Sequence, residues 1–68
     1  MMAAFRICLM GQSQPLDVDL ALRDLEELAV EASRAKFLIG HMTKPDEDGV
    51  CRGVMIAASR IQCAIEVG

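Results

Sequence analysis

The chain has 68 residues, 53% hydrophobic and 25% charged, a composition that excludes a disordered segment and fits one small domain. Ten acidic residues against seven basic ones give a net charge of -3, which argues against general nucleic-acid binding and an anionic membrane partner. Cys8, Cys51 and Cys63 form an odd set with no C-x-x-C pair, too sparse for a disulfide scaffold. They are read as reduced thiols of a cytoplasmic protein.

Residues 1–15 form an N-terminal segment. Phe5, Ile7 and Leu9 alternate with Arg6, Cys8 and Met10, which predicts a short extended stretch. With no basic n-region and with Arg6 inside the apolar run, the segment is not expected to act as an export signal. Gly11-Gln12-Ser13-Gln14-Pro15 then interrupts whatever precedes it.

Helix one is predicted over about 17–42. Asp17 and Asp19 are candidate N-caps, and Asp24, Glu26 and Glu27 complement the positive end of the helix dipole. Val18, Ala21, Leu25, Leu28, Ala32, Ala35, Ile39 and Met42 follow a three-four spacing, the seam of closely aligned helices. Val30 and Phe37, seven apart, add a second apolar stripe on the charged side. Acids crowd the first half of this segment and bases the second, which favours antiparallel packing against a symmetry mate.

A polar loop is predicted over 43–48. Its acids resemble a calcium loop only superficially, because Lys44 and Met55 stand where oxygen ligands are required. Helix two is predicted over about 48–67. Val50, Val54, Ala57, Ile61 and Ala64 form its seam, and Cys51, Met55, Ala58 and Ile65 form a parallel apolar row. Arg52 and Arg60 make this stretch a poor transmembrane span.

These elements give an all-α fold: a hairpin of two long antiparallel helices in a single small domain, 1–68. Helix two is apolar on more sides than one partner helix can cover, so two hairpins are expected to dimerise into a four-helix bundle. The interface candidates are Val30, Phe37, Val50, Val54, Ala57, Ile61 and Ala64.

Catalytic chemistry has little to work with. His41 is the single histidine, and Cys51 with His41 is the least implausible nucleophile–base pair. Neither a glycine-rich phosphate loop nor a Glu-x-x-His pair occurs, and no cofactor or metal is expected. The expected function is a non-enzymatic homo-oligomer that acts as a protein-interaction or regulatory module. Its expected partners are itself and another protein, with no nucleic acid and no membrane. One alternative is a binder of a small apolar ligand in the inter-helix core, lined by residues such as Met42 and Met55. A redox protein or enzyme using Cys51, Cys63 and His41 is the third reading.

Overall fold

Leu16-Asp17-Val18-Asp19-Leu20 alternates strictly between apolar and acidic residues. In an extended chain that pattern puts three hydrophobes on one face and two carboxylates on the other. The computed structural model, which describes residues 2–67, realises this second period rather than the helical one. Its elements are β1 (Ala3–Leu9), β2 (Leu16–Leu20), α1 (Leu25–Arg34), β3 (Phe37–Met42), β4 (Gly53–Ala57) and β5 (Ile61–Glu66). A short 3-10 turn, Ala58–Arg60, joins β4 to β5.

The helical hairpin is therefore corrected. Segment 17–42 is divided into β2, α1 and β3, and segment 48–67 holds β4, the 3-10 turn and β5. With one α-helix of 10 residues among the described residues, the four-helix bundle has no helices to build it. Antiparallel pairing of two long helices falls with it. Met1 and Gly68, the ends of the expected domain, lie outside the described residues.

The three-four seam does not share a face. Val18 and Leu28 are buried, whereas Leu25 and Ile39 are exposed. Alternation sorts the same residues correctly: Phe5 and Ile7 point inward on β1, Val18 and Leu20 on β2, Leu38 on β3 and Ile56 on β4. With Leu28 from α1 they form the core.

The strands are all antiparallel to their neighbours, in the order β4-β3-β2-β1-β5. Strands β4 and β5 thus occupy opposite ends of the order, although only Ala58–Arg60 separates them in sequence. In a flat sheet, four strand spacings would set them roughly 19 Å apart. A 3-10 turn of this length advances only about 8 Å. The sheet must curl round on itself at this end, and the core fills the inside of the curl. Helix α1 lies against β3, β5 and the 3-10 turn. It is a lid whose Leu28 enters the core.

The start of α1 is set by Asp24, not by Asp17 or Asp19, which lie in β2. The Asp24 carboxylate accepts from the Glu27 backbone N–H at 2.9 Å. Glu27 reaches back to accept from the Arg23 backbone N–H at 3.2 Å. The first bond satisfies an N–H that the first turn leaves free, and the second ties down the residue just before the cap.

Candidate functional site: the outer face of the sheet

Core side chains occupy the inner face, which leaves the outer face, the edges, the loops and a groove beside α1 for binding chemistry. The pairing registers lay out that outer face row by row. Cys63 stands opposite Cys8, and Ile65 opposite Arg6, which in turn faces Asp17 on β2. The next row runs through Ala4, Asp19, His41 and Gly53. Beyond it, Ile39 faces Met55 and Phe37 faces Ala57.

The face divides into two chemical halves. Towards β1 and β2 it is polar, with Arg6 donating to Asp17 at 2.8 Å. That hydrogen bond and the opposite charge hold the Asp17 carboxyl below the usual carboxylate range. Towards β3 and β4 it is apolar: Phe37 is 51% exposed, Ile39 75% and Met55 63%. No charged residue occurs in Gly53-Val54-Met55-Ile56-Ala57. Strand β4 also ends the strand order and pairs only with β3 among the described residues. Natural edge strands are commonly protected by charge, proline or a bulge. Strand β4 has none of the three.

The residues singled out from the sequence are dispersed by this fold. Phe37 belongs to the exposed patch, and Ala57 is its half-buried cross-strand neighbour. Val54 is half-buried and faces inward from the same strand. Ile61 and Ala64 line an open apolar groove between β5 and α1, together with Leu25, Leu28, Ala29 and Ala32. Val30 is exposed on the far side of α1 from Leu28, and Val50 is exposed in the loop before β4. No single surface holds all seven. Sequence reasoning missed Ile39 and Met55 as neighbours because it placed them on different helices. Their signal was the apolar character of both alternate faces in 37–39 and 54–57.

His41 is exposed on β3, directly opposite Asp19, and Cys51 lies in the loop before β4. The core between two helices proposed for an apolar ligand does not exist, since the described residues contain a single α-helix. Met42 is half-buried against the core from β3, while Met55 points to solvent. Among the described residues no helix is long and apolar enough to cross a membrane.

The acidic turn is occupied by its own backbone and by arginine. One Asp46 carboxylate oxygen accepts from the Asp48 and Val50 N–H groups at 2.9 and 3.1 Å. The other accepts from Arg52, which also reaches Asp48 at 3.3 Å. The Arg52 guanidinium and these N–H groups hold the Asp46 carboxyl low. Gly49, at φ +77°, makes the turn that brings them together.

No protein-family model, curated protein or solved structure matches this chain.

Proposed function

We propose that the protein is a non-enzymatic interaction module that pairs with a second copy of itself along β4. The observation that carries this reading is the exposed Phe37–Ile39–Met55 patch bordering an uncharged, unprotected edge strand. Contiguous apolar surface of this kind marks interaction sites on small proteins. An edge strand adds a row of unused N–H and C=O groups that another strand satisfies.

A two-fold axis through Met55 makes β4 its own complement. Met55 then faces Met55 of the second copy, and Val54 and Ile56 face each other across the join. The row Ile39–Met55 continues into the equivalent row of the other copy, so one apolar band is shared. The strand carries no charge to repel its twin. Three free cysteines support a reducing compartment, the cytoplasm, as its setting.

Light scattering on dilute full-length protein tests the proposal. The wild type should run at twice the chain mass, and Met55→Lys should run as a monomer with unchanged circular dichroism. Val30→Lys, on the far side of α1, should leave the dimer intact. A wild type that stays monomeric across the concentration range would reject the reading.

A further inference from the structure

Cysteines 8 and 63 are distant in sequence, yet the fold sets them face to face. Cys8 on β1 and Cys63 on β5 are direct partners in the antiparallel register. Directly opposed residues in such a pair have Cα atoms about 4.5 or 5.5 Å apart, depending on the hydrogen-bonding class of the site. Both values lie in the range a disulfide spans, roughly 4.4–6.8 Å. Their Cβ atoms start about 4.5–5.5 Å apart, so a bridge at the usual spacing of about 3.8 Å asks for a closure of about 0.7–1.7 Å.

Two local features permit that closure. The register shifts between Cys8 and Leu9, so the ladder is already irregular beside the pair. Strand β5 also ends the strand order, and among the described residues no strand on its outer side resists a small displacement. Cys51 is exposed on the loop before β4 and has no such cross-strand partner.

We infer that Cys8 and Cys63 form a reversible dithiol–disulfide site that reacts with low-molecular-weight disulfides. Cys63 is exposed and Cys8 is half-buried, so Cys63 meets the reagent first. Hydrogen bonding with the Cys63 side chain, followed by desolvation, raises the Cys8 thiol above its usual value, while Arg6 works against the rise. Being half-buried directly opposite Cys63, Cys8 is placed for the second step.

The Cys63 thiolate attacks one sulfur of the disulfide RSSR. Its S–S bond breaks, and the departing thiolate takes up the proton Cys63 has released. The Cys8 thiolate then attacks the Cys63 sulfur of the mixed disulfide. The second RS⁻ leaves and is protonated by the proton lost from Cys8. The two cysteine thiols are oxidised by two electrons overall, and one RSSR is reduced to two RSH.

The test uses the full chain incubated with oxidised glutathione, acid-quenched and read by intact mass, thiol count and peptide mapping. The count should fall from the three thiols of the sequence to none, with Cys51 carrying one glutathionyl group. A Cys8–Cys63 cross-linked peptide should account for the rest. Cys51→Ser should lose only the mass of two hydrogens, and dithiothreitol should restore it. Cys8→Ser should stop with glutathione held on Cys63. Stable glutathionyl adducts on Cys63 of the wild type, without the Cys8–Cys63 link, would overturn the inference. So would a link that forms equally well in urea, where the register is lost.

Discussion

Replacing Gly40 by alanine probes the tightest point of the fold. A Cβ at Gly40 would lie 2.3 Å from the Asp19 carbonyl oxygen and 2.6 Å from Leu20 Cδ2. Ordinary contacts of carbon lie near 3.5–4.0 Å, so the new methyl group intrudes by roughly 1 Å. The Asp19 oxygen is backbone and cannot rotate away, and Leu20 is itself only 2% exposed. Relief therefore requires β2 and β3 to separate. Their pairing rests on two register positions, Val18 with Met42 and Asp19 with His41. Overpacking of this kind costs about 2–3 kcal/mol. Because a domain this size holds only about 3–10 kcal/mol in all, the melting temperature should fall by roughly 10–20 °C.

Gly53 supplies the internal control. It stands opposite His41 on the neighbouring strand, and its added Cβ would meet nothing closer than the Gly40 carbonyl at 3.8 Å. Gly53→Ala removes freedom from the unfolded chain without a clash, so it should be neutral or stabilising by up to about 1 kcal/mol. Thermal and urea melts followed by far-ultraviolet circular dichroism compare the two variants. The reasoning fails if Gly40→Ala melts within error of wild type, or if Gly53→Ala loses as much stability.

Three further outcomes follow from the packing and the charges. Leu28 is the one buried residue of α1, so Leu28→Ala should cost about 2–4 kcal/mol in urea unfolding. Asp24→Ala removes the cap of the same helix and should cost about 1 kcal/mol, with the loss concentrated in hydrogen-exchange protection of α1. Arg6, Arg23 and Arg52 hold the Asp17, Glu27 and Asp46 carboxyls below their ordinary values. Groups lowered in the folded state stabilise it above their unfolded values, near pH 4, and this support is lost as pH falls through the folded ones. Urea midpoints should therefore hold steady from neutral pH to about 5 and decline below about 4. A midpoint that rises on acidification would contradict the assigned ion pairs.

The misreading of the fold has a physical source in particular residues. Val18, Leu25, Leu28, Ile39 and Met42 satisfy a three-four spacing, but Leu16, Val18 and Leu20 satisfy a two-residue spacing equally well. A short segment offers too few positions to separate the periods. Glycines inside the predicted helices, Gly40 and Gly53, were the contrary evidence. So was the β-branched content of 54–65, with Val54, Ile56, Ile61 and Ile65. The capping signal was read one element too early, since Asp24 rather than Asp17 precedes the helical turns. Of the apolar patch, Phe37 alone stands out as an interface candidate, because Ile39 and Met55 fit the apolar rows of the two predicted helices.

By itself, the sequence determined that the chain is small and rich in apolar residues, and that 43–48 is a polar loop. Those properties depend on composition and on contacts a few residues apart. Only the tertiary structure decided which hydrophobes are hidden, that β4 is left as an open edge, and that Cys8 faces Cys63. Strand pairing joins residues far apart in the chain, and a strand acquires its partner only when the whole sheet has formed. For a chain whose local periods are balanced, that pairing selects the sheet over the helix.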